Sequence, residues 1–331
     1  MKKLKAAVLS HNCLGDGLLA LTLGLNLSNN GFEVTIFNNY VAQISDIIPA
    51  IKCHHFIDND QSENILGSYD IVCFDPDVIT HLSTHEPINH SNYKFILCHQ
   101  EYCKEPPFNS MTKEKSFLIA HSQLKNYILY KVNLRAYITG KQSTILDCYR
   151  GFMTDCLKLD FVDTNINFNI TTHYQYKKHS KRVVIFPYSG HSSKDWKLSK
   201  FTDLGTRLNN DGYDVFFAIT KKQSEIMDSE LNKHNVVAFD SLKKLLFFIY
   251  ESSIVISNDS GGGHLASSLN IPTITITNFS RSSYLWAPGW AKNTVISPLF
   301  RLRPDFLRNK YWHHLISIPQ IVSVIKNDNH T

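Results

Sequence analysis

Residues 254 to 277 read IVISNDSGGGHLASSLNIPTITIT, and this stretch restricts the fold more than any other. Ile254 to Ile256 is a β-branched run of the kind buried in a parallel sheet, and Ile271 to Ile276 predicts the next strand. Between them the spacing predicts one helix over residues 262–269. Ser260, Gly261, Gly262 and Gly263 then place several backbone N–H groups at the helix start with almost no side-chain bulk beside them. That arrangement suits a phosphate. The plainer alternative is an N-cap at Asp259 or Ser260 with glycines that only shape a turn. Three consecutive glycines exceed what a cap needs, since each lowers helix propensity.

The block D-S-G-G-G-H-L-A-S-S-L-x-x-P-T resembles the C-terminal motif of glycosyltransferase family 9, the lipopolysaccharide heptosyltransferases. Asp259, Ser260, Gly261, His264, Leu265, Ala266, Leu269 and Pro272 fall on that pattern. A second match is F-P-Y-S-G-H-S-S-K-D-W-K-L-S-K-F, residues 186–201. It is similar to the family's phosphate loop at Ser189, Lys194 and Trp196. A lysine there meets a diphosphate as a mobile point charge, and Ser189 can donate a hydrogen bond. Trp196 reads better as an anchor of the following helix than as a ligand contact.

The third match lies near the start. Residues 6–9 predict a strand, residues 16–30 a largely buried helix ending at Gly31, and Val34 to Phe37 the next strand, a βαβ beginning. Gly15 to Ala20 formally satisfies the dinucleotide fingerprint G-x-G-x-x-[GA], yet the second strand ends on Asn38 and Asn39 rather than an acid. A nicotinamide enzyme is therefore disfavoured. Family 9 enzymes carry a Gly-Asp pair at this place, and the resemblance makes Asp16 the expected catalytic base. The family's proline a little further on is replaced by Ala20-Leu21-Thr22-Leu23. Without the resemblance, Asp16 reads equally as a first-turn acid favoured by the helix dipole.

At 331 residues and 43% hydrophobic content the chain suits two α/β domains of roughly 150 residues each. The strand–helix rhythm restarts at Arg182 to Phe186, Lys200 to Asn209 and Val215 to Ile219, after a helix over residues 144–159 and a polar connector over 160–180. Further strands are expected at Ile71 to Phe74, Lys94 to Cys98 and residues 116–120. The resemblance implies an α/β chain of the GT-B type, two Rossmann-like parallel-sheet domains facing across a cleft. Residues 1–170 would bind acceptor, residues 171–315 nucleotide sugar, and residues 316–331 would form a helix packing back toward the first domain.

The seven cysteines, all in the first half and irregularly spaced, argue for reduced thiols rather than a disulfide framework. His81, His85, His90, His99 and His121 show no ligand spacing, and Cys98, His99 and Cys103 lack a second pair, so no metal site is expected. The net charge of +5 is spread thinly, which argues against nucleic acid. Lys104, Lys113, Lys115, Lys125, Lys131, Arg135, Lys141, Arg150 and Lys158 would suit an anionic acceptor or membrane surface, or simply a solvated face. No secretory leader is expected from MKKLKAAVLS, and the apolar run Leu245 to Tyr250 is too short to cross a bilayer. A cytoplasmic protein follows, peripheral at the inner membrane face if it meets its acceptor there.

The resemblance implies an inverting, metal-independent glycosyltransferase moving heptose from ADP-heptose to a lipopolysaccharide core or related glycan, with no cofactor beyond the nucleotide-sugar substrate. Asp16 would be the base. Ser189, Lys194, Ser260, Gly261 and Gly262 would hold the donor diphosphate, while Asp259 and His264 would orient the donor sugar or the loop. Glu225 and residues 221–223 follow a strand end where a base or ribose could sit. Residues 278–283 depart from the family pattern at a place where donor contacts are expected. A sugar-nucleotide epimerase of the same fold and a non-catalytic sugar-nucleotide or glycan-binding protein remain as alternatives.

Overall fold

The computed structural model describes residues 3–48, 51–57, 67–75, 93–98, 117–118, 128–140, 142–190, 192–225, 227–278, 284–298 and 311–328. The chain divides into two compact units, residues 1–169 and 170–331. Each is built on one sheet.

In the first unit β1 (Lys5–Leu9) leads into α1 (Leu14–Asn29), β2 (Glu33–Phe37), a single helical turn α2 (Asn39–Ala42) and β3 (Lys52–His54). β4 (Ile71–Phe74), β5 (Tyr93–Cys98), β6 (Phe117–Leu118), β7 (Ile128–Asn133) and α3 (Ile145–Gly151) follow. The strand order is β3-β2-β1-β4-β5-β7-β6, with only the β6–β7 pair antiparallel. α1 is buried along nearly its whole length from Gly17 to Leu27, because it lies on a sheet face that its leucines must cover. Gly31, at φ +92°, makes the left-handed turn that starts β2.

Asn26 on α1 and Asn30, the C-cap of that helix, hold the polar connector. Asn26 Nδ2 donates to the Asp163 carbonyl at 2.6 Å, and the Asp163 N–H donates back to Asn26 Oδ1 at 2.7 Å. Asn30 makes the same two-way bond with the backbone of Phe161. The i, i+4 spacing on the helix thus matches the i, i+2 spacing of an extended segment, and the connector is fixed without a strand of its own. The helix expected over residues 144–159 is shorter than its sequence suggests. Thr144 and Asp147 form a capping box for α3, and the chain then loosens into one π-helical turn, Phe152–Cys156.

The second unit runs β8 (His179–Phe186), α4 (Leu198–Asn210), β9 (Asp214–Thr220), the short α5 (Lys221–Ser224), β10 (Asn235–Phe239), α6 (Leu242–Tyr250), β11 (Ser252–Asn258) and α7 (Gly261–Ser268). It closes with β12 (Thr273–Ile276), β13 (Asn293–Ile296) and α8 (Ile318–Asp328). All pairings in the order β10-β9-β8-β11-β12-β13 are parallel. The terminal helix, expected to pack toward the first domain, gives its buried face to the second. Ile321, Val322 and Ile325 join the core formed by Val183, Ile185, Trp196 and Phe201, and Lys326 pairs with Asp211 at the end of α4 at 2.9 Å.

The sequence-stretch of three glycines has a packing cause that the sequence does not display. A Cβ on Gly262 would lie 2.8 Å from the Phe186 ring, and one on Gly263 would lie 2.5 Å from Ser257 Oγ. The start of α7 therefore presses on the ends of β8 and β11, and two of the three glycines face protein rather than an open approach. Gly263→Ala is expected to cost about 1–3 kcal/mol of stability by overpacking. Removing the obstructing oxygen with Ser257→Ala should restore most of it. Urea denaturation of the single and double variants checks this, and an undiminished loss in the double variant would refute it.

Candidate functional site

In each sheet the strand order reverses beside the first strand, between β1 and β4 and between β8 and β11. Loops leaving the carboxyl ends of those strands diverge there and leave a crevice, where open α/β sheets bind ligands. Every residue expected to serve as base or to hold the diphosphate or donor sugar follows one of these strands, whereas Glu225 and residues 221–223 follow β9.

At the first switch point the loop after β1 is held from both sides. Asn38, wholly buried at the end of β2, donates through Nδ2 to Ser10 Oγ at 3.0 Å and the His11 carbonyl at 3.1 Å. Its Oδ1 accepts from the N–H groups of Tyr40 and Val41, capping α2. The position where a dehydrogenase would carry its acid is therefore occupied by a structural amide. Gly17 is required here too, since a Cβ would lie 2.7 Å from Asn38 Oδ1. From the other side Asp75, directly after β4 and only 3% exposed, accepts the His11 N–H through Oδ2 at 2.6 Å.

Asp16 stands in the first turn of α1, partly buried, and the N-cap residue Cys13 makes no side-chain cap bond. The charge of Asp16 is felt nearby. Burial pushes the Cys13 thiol above its usual range, and Asp16 adds to this. Burial likewise pushes the Tyr149 phenol well up, with Asp75 and Asp16 adding to it. Asp16, Asp75 and Tyr149 thus share one electrostatic environment. Sequence reasoning found only the first, because Asp75 and Tyr149 reach it through sheet topology and not through a local motif.

At the second switch point the loop after β8 meets the start of α7. Lys194 Nζ lies 3.1 Å from Asp259 Oδ2. Ser260 is the N-cap of α7 by position, yet its hydroxyl makes no cap bond and is buried without a partner. The capping alternative therefore fails for both candidates, since Asp259 engages Lys194 and Ser260 engages nothing. The first turn of α7 is thus left without a side-chain cap, next in sequence to a buried unpartnered hydroxyl and to an aspartate paired with Lys194. This is the local chemistry of an anion site.

His264, one turn into α7, is 6% exposed. Burial pushes its pKa down, which keeps it neutral, against the opposing pull of Asp259. The Trp286 carbonyl accepts from the ring, while Nδ1 is buried without a partner. The ring proton accordingly sits on Nε2, and Nδ1 presents a lone pair that suits a hydroxyl donor. Ser189 is engaged within its own loop. Its N–H donates to Asp195 Oδ1 at 2.8 Å, and its hydroxyl donates to the same carboxylate. Trp196 is an anchor, 1% exposed, with its N–H on Asn258 Oδ1 at 2.9 Å and Nε1–H on the His313 carbonyl at 2.9 Å. Thr220 and Gln223 form the capping box of α5, and Glu225 ends that turn exposed.

Among the described residues no three His, Cys, Asp or Glu side chains gather as a metal site would require, and no helix is long and apolar enough to cross a membrane. His81, His85, His90, His99, His121 and Cys103 lie outside the described residues, as do Lys104, Lys113, Lys115, Lys125 and Lys141 and the divergent residues 279–283.

The model of glycosyltransferase family 9 (heptosyltransferase) matches residues 143–310. No curated protein matches. Among solved structures, a family 9 glycosyl transferase from Veillonella parvula is 15% identical with a TM-score of 0.66, covering 98% of this chain and 97% of that one. Escherichia coli heptosyltransferase WaaC with ADP is 13% identical with a TM-score of 0.65, covering 98% and 99%. The E. coli ADP-heptose lipopolysaccharide heptosyltransferase II is 13% identical with a TM-score of 0.58, covering 90% and 92%. At such identities these likenesses establish the fold, the two Rossmann-like parallel-sheet domains of the GT-B class. The family match spans just over half of the sequence, including both motifs at the second switch point, and the chain belongs to glycosyltransferase family 9.

Proposed function

We propose that this glycosyltransferase moves a sugar, most simply heptose from ADP-heptose, to a hydroxyl of a lipopolysaccharide core or related glycan, with inversion at the anomeric carbon. The observation that carries the donor half is the uncapped start of α7 beside the Lys194–Asp259 pair. An ammonium held only by a half-exposed ion pair, a buried hydroxyl with no partner among the described residues and the start of a helix follow the two central strands of the second sheet. The ADP and ADP-heptose named for the E. coli relatives make an adenine nucleotide the first choice of donor.

In this mechanism Asp16 takes the proton of the acceptor hydroxyl as its oxygen attacks the anomeric carbon. The bond from that carbon to the diphosphate oxygen breaks, and the nucleoside diphosphate leaves with the electron pair. Lys194, the Ser260 hydroxyl and the N–H groups of Gly261 and Gly262 stabilise its growing charge, which removes the need for a metal. Asp259 gives up Lys194 to the diphosphate and turns to the donor sugar. His264 Nδ1 accepts a sugar hydroxyl. Ser189 shapes the loop, since its one hydroxyl proton already goes to Asp195. The enzyme would work at the cytoplasmic face of the membrane that holds its acceptor.

Thermal unfolding with saturating ADP, UDP, GDP, CMP and NAD tests the donor. A ligand at a hundred times its dissociation constant adds about 2.7 kcal/mol to the native state, enough for a clear shift. ADP should stabilise selectively, and Lys194→Ala should lose the effect. A response to UDP or GDP would change the sugar nucleotide, whereas a response to NAD alone would overturn the assignment.

Asp16→Asn should leave ADP affinity within about twofold while lowering turnover by roughly a hundredfold or more, the usual worth of a positioned general base. The assay is release of nucleoside diphosphate with a lipopolysaccharide core acceptor. Full turnover in this variant would remove Asp16 from the mechanism.

A further inference from the structure

The loop after β8 and the strand end of β11 meet in two adjacent pairings. Lys194 contacts Asp259, and the next loop residue, Asp195, contacts the preceding strand residue, Asn258. The first pairing is open to solvent. The second is built into the protein.

Asn258 is wholly buried. Its Oδ1 accepts the Trp196 N–H at 2.9 Å, and its Nδ2 donates to the Pro187 carbonyl at 2.9 Å and to Asp195 Oδ1 at 3.3 Å. Asp195 Oδ1 also takes the Ser189 N–H at 2.8 Å, and the Asp195 carboxylate takes the Ser189 hydroxyl. One amide and one carboxylate therefore fix residues 187, 189, 195 and 196, both ends of the loop that carries Lys194. A carboxylate suits this place because it accepts several donors and offers none to compete with them. Its charge is a liability beside a bound diphosphate, so retaining it calls for a compensating role.

We propose that Asp195, working with Asn258, is the positioning residue of the donor site. It touches no part of the donor. It holds the loop so that Lys194 projects toward the start of α7 before any ligand arrives, and the affinity of the site for the diphosphate depends on that pre-setting. This rests on the assignment of Lys194 and the start of α7 to the donor diphosphate.

ADP binding and donor-saturation kinetics of Asp195→Ala, Asp195→Asn, Asn258→Ala and Lys194→Ala test it. Asp195→Ala should raise the ADP dissociation constant and the donor KM about tenfold, the worth of one or two charge-assisted hydrogen bonds, with kcat changed less than about threefold. Asp195→Asn keeps a carbonyl oxygen for the Ser189 N–H and should restore affinity to within about threefold of the unaltered enzyme. Asp195→Ala should add little in an Asn258→Ala background, because the two act as one unit. If Asn258→Ala fails to fold, the two Asp195 variants still decide the matter.

Unaltered ADP affinity in a folded Asp195→Ala variant would overturn the proposal. So would an Asn variant as weak as the Ala variant, or a loss confined to kcat. If Lys194→Ala also binds ADP normally, or the unaltered enzyme binds none of ADP, UDP and GDP, the donor-site assignment itself falls. If Lys194→Ala weakens binding and Asp195→Ala does not, only the positioning role falls.

Discussion

Buried asparagine side chains fix the two loops on which the chemistry depends. A strand that ends at a sheet edge leaves the next few backbone groups without a ladder partner, and a buried group of that kind needs one from elsewhere. Asn38 supplies it for the loop after β1, and Asn258 for the loop after β8. Both amides are wholly buried, so water does not compete for their bonds. Each spends its donor and its acceptor on different segments, which fixes a distance between those segments and does more than relieve a single unsatisfied group. Asp16 and Lys194 emerge from backbone mounted in this way.

Close packing sets the second constraint at these edges. Gly17 meets Asn38, Gly262 meets Phe186 and Gly263 meets Ser257, each at a separation that no Cβ tolerates. The helices α1 and α7 consequently begin nearer their sheets than side chains would allow, and their N-terminal N–H groups lie close to the switch points.

The rhythm of strands and helices was legible because β-branched runs such as Val183 to Ile185 and Ile254 to Ile256 have few other uses in a chain of this composition. β7 and β13 were not anticipated. Ile128–Asn133 mixes Tyr, Lys and Asn with its apolar residues, and Asn293–Ile296 is only four residues long, so neither carries a period that stands out. The π-helical turn after α3 was hidden for a different reason, since Phe152 and Met153 continue the apolar pattern of a helix and only the hydrogen bonding changes. Motif residues at both switch points were named from sequence. Asp75, Tyr149, Asp195 and Asn258 were not, because each is tied by a hydrogen bond, or in the case of Tyr149 by the field of Asp75, to a residue 60 or more positions away that topology alone brings near.

One carboxylate pairs with Lys194 and another, on the next residue, holds its loop, and their surroundings give them opposite characters. The Lys194–Asp259 pair is half-exposed on the lysine side, and a pair of that kind is worth about 0–1 kcal/mol. An anion arriving at the start of α7 can take the ammonium at little expense. Asp195 accepts bonds from Ser189 twice and from Asn258, and burial raises its pKa only against the pull of the Ser189 bonds. Displacing it would leave the part-buried Ser189 N–H and hydroxyl without this acceptor, at about 1–3 kcal/mol. The same negative charge is therefore exchangeable at residue 259 and fixed at residue 195. A cation paired with a releasable carboxylate, and carried on a loop that an immovable one fixes, is ready for a ligand without being free to wander.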